Sequence, residues 1–116
     1  GGSPHPRGYG TFPRLMGHYV RSGALSLELA VHKATALPAR KIGLTDRGVI
    51  EPGAFADLVA FDPTTVADQA TFEDPHQYPV GIPLVVVNGQ VTLRDGEQTG
   101  ARAGRAIRGQ GRGAAA

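Results

Sequence analysis

The densest chemistry in the sequence lies near its beginning, in His5-Pro6-Arg7-Gly8-Tyr9-Gly10-Thr11-Phe12-Pro13-Arg14. Prolines and glycines shape this backbone while His5, Arg7 and Tyr9 offer hydrogen-bonding groups, the mixture expected of a loop that holds an anionic ligand. Arginine suits a carboxylate because its planar fork donates two parallel hydrogen bonds. The competing reading is a tightly folded loop whose arginine caps a helix or pairs with a surface acid. The residues alone weigh these two readings evenly.

Elsewhere the sequence offers no complete catalytic set. The histidines at 5, 18, 32 and 76 stand in no H-x-H or H-x₃-H spacing. His18 and His32 fall on expected helices and read as solvated or packed. His76 reads as a loop histidine that bonds nearby backbone. The acids Asp46, Glu51, Asp57, Asp62, Asp68, Glu73, Asp74, Asp95 and Glu97 mostly occupy turn or strand-edge positions, where carboxylates serve structure. Ser3 and Ser26 lack a G-x-S-x-G setting, and no Gly-rich loop ends in lysine. With no cysteine in the chain, disulfides, thiolate metal sites and cysteine nucleophiles are excluded together.

The elements that must position the first segment follow from periodicity. Residues 1–10 read as loop, because prolines flank His5. Thr11 is expected to cap a helix to about Arg21, since Phe12, Leu15, Met16, Tyr19 and Val20 recur at helical spacing. Ser26 should cap a second helix carrying Leu27, Ala30, Val31 and Ala34, broken by Pro38 and followed by a turn over Ala39–Gly43. Short β-branched runs then read as strands at Arg47–Ile50, Asp57–Phe61, Leu84–Val87 and Val91–Leu93. The last two are joined by Asn88-Gly89, the pair a type I′ hairpin turn demands. Asp62 to Ile82, with Pro63, Pro75 and Pro79, reads as a long ordered loop or one that contains a short helical turn.

The order of helices before strands gives an α+β class. At 116 residues the chain is one small domain, whereas a (β/α)₈ barrel needs roughly 250 residues. The chain opens on Gly1 and its one methionine, Met16, falls inside an expected helix, so a piece of a longer protein is expected. No run reaches the roughly 18 apolar residues of a membrane span, so neither membrane insertion nor association is expected, and a cytoplasmic location is. The formal charge of +2 comes from the end of the chain, and without Arg102, Arg105, Arg108 and Arg112 it becomes −2. This Gly/Ala/Arg tail has no aromatic residue to stack on bases, so no nucleic-acid partner is expected.

Four segments carry a resemblance: HPRGYGTFPRLMGHYVR, SLELAVHKATALPARKIGL, DRGVIEPGAFADLVAFDPTTVAD and HQYPVGIPLVVVNGQVTLRDGEQTGARAGR. In this order they resemble the closing segments of the N-acyl-D-amino-acid deacylases, or D-aminoacylases, of the amidohydrolase superfamily. The stretch G-x-x-x-P-G-x-x-A-D-L-V-x-F-D, here Gly48 to Asp62, is common to many amidohydrolases; HPRxYGTFPR is narrower.

The resemblance implies a metal-dependent barrel with a small β-sandwich. Residues 1–43 would supply the barrel end, a substrate loop with two helices. Residues 44–108 would supply carboxy-terminal sandwich strands, and 109–116 a disordered tail. It implies zinc in the parent enzyme, none of it bound by this stretch, and a small N-acyl-D-amino acid as substrate. The metal ligands and the general-base aspartate of a Ser-Asp-Gly segment would lie upstream, so no catalytic residue is assigned and this stretch alone is expected to be inactive. Arg7 would bind the substrate α-carboxylate, with His5 and Tyr9 shaping the loop around it. Oligomeric state stays open. The alternatives are another amidohydrolase of dihydroorotase or dihydropyrimidinase type, or a standalone α+β binding domain.

Overall fold

The computed structural model describes Gly2 and residues 4–109. Its first part is helical: α1 spans Arg7–Arg14 and continues directly into a π-helical turn over Leu15–Tyr19, then α2 spans Leu27–Ala34 and α3 Ala36–Lys41. Its second part is one antiparallel sheet of β1 (Leu58–Ala60), β2 (Leu84–Val87), β3 (Gln90–Arg94) and β4 (Glu97–Gln98), in that order. The α+β class expected from the sequence is observed. The expected tail over 109–116 lies, apart from Gly109, outside the described residues. No helix among the described residues is long and apolar enough to cross a membrane.

The helical part corrects three expectations. The first helix starts at Arg7 and not after Thr11, because Pro6 at the N-cap has φ −51° and ψ −28° and so leads straight into the helix. A proline there loses nothing, since the first helical N–H groups have no partner within the helix. The carbonyls of His5 and Pro6 receive the N–H groups of Gly8, Tyr9 and Gly10 at 3.0–3.2 Å, so the presumed loop is already helical from Arg7. Inside α1, Pro13 has no N–H to offer the Tyr9 carbonyl, and the wider π turn follows within two residues. Pro38 does not end the second helical run. The break comes at Thr35, with φ −130° and ψ −86°, and Pro38 sits in the first turn of α3, where proline is tolerated. Most of the turn expected over Ala39–Gly43 is therefore helix. Ser26 does cap α2, its hydroxyl accepting the Leu29 N–H at 3.2 Å.

The sheet follows the sequence more closely. The Asn88-Gly89 hairpin joins β2 to β3 with φ of 48° and 78°, positive at both central residues. A second such turn, Asp95-Gly96 with φ 51° and 84°, adds β4, which periodicity alone had not exposed. The expected strand over Arg47–Ile50 does not form. Instead the Phe55 N–H reaches back to the Asp46 carbonyl at 2.9 Å, and Arg47 is drawn into an ion pair with Asp57 and onto the Phe55 ring at 4.0 Å. Gly48, with φ 80° and pressed on Thr35 and Ala39, bends the chain out of an extended course.

The same Asp57 fastens the hairpin. One carboxylate oxygen accepts the Asn88 N–H at 2.8 Å while the neighbouring Ala56 carbonyl accepts the Gly89 N–H at 2.9 Å, so the turn of one hairpin is clasped by the chain entering β1. The Asn88 hydrogen bond and the Arg47 ion pair hold the Asp57 carboxyl below its ordinary value of 3.8.

Helices and sheet meet through the long 62–82 segment, which is ordered as expected and carries an isolated bridge between Ala67 and Val80. Its centre is Val66, 1% exposed and the largest fully buried side chain among the described residues. The other buried apolar residues among those described are alanines: Ala30, Ala39, Ala70 and Ala103. Backbone packs directly against Val66 from both sides. A methyl group on Gly17 would lie 2.1 Å from the Val66 carbonyl oxygen, and one on Gly81 2.6 Å from its N and Cα. Arg21 then donates to the Val66 carbonyl at 2.8 Å and to the Pro63 carbonyl at 3.2 Å.

Three stability outcomes are expected. In urea unfolding, Gly17→Ala is expected to cost at least about 1–3 kcal/mol through forced separation of helix and loop. Gly8→Ala, whose added methyl meets nothing within 4 Å, should gain roughly 0.5–1 kcal/mol from helix preference. Equal stability of the Gly17→Ala protein and wild type would contradict the packing described. Because the Asp57 pKa is lowered on folding, its stabilisation is complete above the unfolded value of 3.8 and is lost as pH falls through the lower folded value. The stability gap between wild type and Asp57→Asn should therefore be wide at pH 7 and close below pH 3.8; a gap independent of pH would remove this role.

Candidate functional site

Arg7 occupies the first position of α1 and is exposed. Both of its backbone groups are held by neighbouring side chains. Its N–H donates to His5 Nδ1 at 3.0 Å, which leaves the proton of a neutral His5 on Nε2, and its carbonyl accepts the Thr11 hydroxyl at 2.8 Å. Its guanidinium, by contrast, meets no hydrogen-bond or ion-pair partner among the described residues. A cation on a fixed backbone with unused donors is suited to an incoming anion.

The N–H groups of the helix start do not compete for that role. Those of Arg7, Gly8, Tyr9 and Gly10 are spent on His5 and Pro6. An anion at this end of α1 is thus bound through the arginine side chain, aided by the positive end of the helix dipole.

Arg7, Thr11 and Arg14 recur at helical spacing and share one face of α1. That face forms one wall of an open cleft of about 470 Å³ with His5, and Asp68, Ala70, Thr71, Phe72 and Glu73 of the 62–82 segment form the facing wall. Arg14 is already committed. It pairs with Asp68 at 3.3 Å and lies 5.6 Å from the Tyr19 ring centre, and the neighbouring Tyr19 and Asp68 raise its pKa. Gly10 lets the helix approach here, since a methyl on it would lie 2.8 Å from Asp68 Cβ.

Of the residues singled out in the sequence, His5 and Arg7 therefore meet at the cleft, and Tyr9 does not line it. Tyr9 turns toward His76, whose Nδ1 lies 3.0 Å from the phenolic oxygen, and toward Tyr78 at 5.9 Å between ring centres. His76 accordingly bonds a distant side chain and not nearby backbone as the sequence suggested. Arg14, Asp68, Phe72 and Glu73 had not been singled out. A helix begun at Arg7 would have placed Arg14 beside it by spacing; nothing local in the sequence signals the other three. Among the described residues no group of three or more His, Cys, Asp or Glu side chains could hold a metal ion, so these residues do not fit a metal centre of their own.

Comparison with known proteins gives this architecture a lineage. Residues 3–93 match the Amidohydrolase family. The chain is 52% identical over 105 residues to a D-aminoacylase of Alcaligenes xylosoxydans xylosoxydans, covering 90% of this chain and 22% of that protein. A crystal structure of a D-aminoacylase superposes with a TM-score of 0.85 at 55% identity, covering 88% of this chain and 22% of that one. An N-acyl-D-glutamate deacylase from Bordetella bronchiseptica, solved with zinc and a phosphonate mimic of the tetrahedral intermediate, gives 0.75 at 50% identity over 82% of this chain and 21% of its own. The chain thus spans about a fifth of the length of these relatives. With a family match over most of its length and a backbone shared with solved members, the chain belongs to the amidohydrolase family.

Proposed function

We propose that this chain is the closing part of a zinc-dependent hydrolase that cleaves the amide bond of N-acyl-D-amino acids. Water adds across the bond: its hydroxyl goes to the acyl carbon, and a proton goes to the leaving nitrogen, giving a carboxylate and a D-amino acid. The names of the relatives and the zinc of the Bordetella structure support this reading. The described residues offer no metal-ligand cluster, so the zinc ligands and the general base are assigned to parts of the enzyme outside this chain.

Within that enzyme, residues 1–43 are the end of the barrel and residues 44–108 the carboxy-terminal strands of a small β-sandwich. Barrel active sites lie at the ends where strands pass into helices, the position of a segment leading into α1. The observation that carries the site assignment is the free guanidinium of Arg7 on a backbone held at both ends. Arg7 binds the substrate α-carboxylate through paired hydrogen bonds, and His5 fixes its start.

The standalone binding domain is disfavoured by packing. Among the described residues, one valine and four alanines are a small core for this length. The radius of gyration is 16.0 Å, against about 13 Å for a compact chain of this size. Ile50 and Phe12 are 89% and 60% exposed, apolar surface that the rest of the enzyme would cover.

In the full-length enzyme, Arg7→Ala should raise KM for N-acyl-D-amino acids by about 10- to 100-fold, the loss of a charge-assisted hydrogen-bond pair. Arg7→Lys should recover only part of it, because an ammonium cannot reproduce the fork. An unchanged KM in Arg7→Ala would remove the residue from the substrate site.

A further inference from the structure

We infer that the 71–78 segment is the positioning element for Arg7, acting through His76 on Tyr9 and through Phe72 on His5. The inference rests on the carboxylate-binding role proposed for Arg7 and extends it to residues in a distant part of the chain. Its basis is a bracket. His5 and Tyr9 stand two residues before and two residues after Arg7, and each is met by a ring of the same segment. Phe72 meets the His5 ring edge-on at 5.0 Å between centres, and His76 meets Tyr9 edge-on at 5.4 Å as well as through the 3.0 Å hydrogen bond to its hydroxyl. Tyr78 adds a third ring against Tyr9.

These contacts are poorly placed to be the anchor of the helix. Docking is already provided further along, where Gly10 and Arg14 meet Asp68 and where Gly17 and Arg21 meet Val66. Phe72 and Tyr78 remain 72% and 74% exposed, so their burial contributes little to stability. What the bracket does restrict is the start of α1. His5, steadied by Phe72, accepts the Arg7 N–H, and Tyr9, tied to His76, fixes the turn on the other side. With its backbone already fixed, the arginine has only its side-chain torsions left to order when it closes on a ligand. Misplacement of such a group by about 1 Å is enough to weaken productive binding.

The test is kinetic and uses the full-length enzyme with two substrates, an N-acyl-D-amino acid and an N-acyl amine that lacks the α-carboxylate. For the first, His76→Ala and Tyr9→Phe are each expected to raise KM about 3- to 10-fold with kcat within about 2-fold, and the double variant to be no worse than the stronger single, as for two ends of one interaction. His76→Asn, which keeps a hydrogen-bonding atom near Nδ1, should restore most of the affinity. For the amine substrate neither variant should change KM. Should His76→Ala fail to fold, Tyr9→Phe, which removes one hydroxyl, still decides the matter. An unchanged KM, additive effects, or equal effects on both substrates would overturn the positioning role. An Arg7→Ala control separates the two levels: if it raises KM while Tyr9→Phe and His76→Ala do not, the bracket fails and the carboxylate site stands. If it leaves KM unchanged, both fail.

Discussion

The backbone of Val66 is the point on which the two parts of the molecule turn. It is pressed between Gly17 of the π turn and Gly81 of the segment entering the sheet, at separations that admit no side chain on either. Arg21 then binds its carbonyl, and the Asp62 carbonyl accepts its N–H at 2.8 Å. Helices, long segment and sheet are held in one frame by this contact. Since the rest of the buried core is alanine, little else in the described chain could replace it.

Two sequence signatures of different breadth take on different physical meanings in this frame. The stretch from Gly48 to Asp62 builds structure: it supplies β1, clasps the Asn88-Gly89 turn through Asp57, and ends in Asp62, whose carboxylate accepts the N–H and hydroxyl of Thr64 at 2.8 and 2.6 Å. Those bonds to Thr64 lower the Asp62 pKa, as expected of a carboxylate that serves a turn. None of this touches the cleft. The narrower segment from His5 to Arg14 builds the cleft wall itself, which is why it carries more information about chemistry than about fold.

The sheet was legible because its signals are local. Asn88-Gly89 dictates a turn wherever it stands between β-branched runs, and Asp95-Gly96 could have been read the same way. The Ser26 cap was legible for a similar reason. The start of α1 was not, because two prolines and two glycines argue against a helix until one notices that a proline at its N-cap leads into it. The expected Arg47–Ile50 strand is absent because Gly48 takes φ 80° against Thr35 and Ala39, and among the described residues no backbone hydrogen bond reaches Gly48, Val49 or Ile50. The cleft was half legible. Arg7 was identified by residue type, whereas its facing wall comes from residues about sixty positions away that no local pattern ties to it.

Whether Arg7 holds the substrate carboxylate is decided by a crystal structure of the full-length enzyme with a D-amino acid product bound. The expected result is both carboxylate oxygens within about 3.2 Å of the Arg7 guanidinium, in a forked pair, with the side chain rising from the same helix start. A product whose carboxylate is held by other residues, with Arg7 left facing solvent, would contradict it.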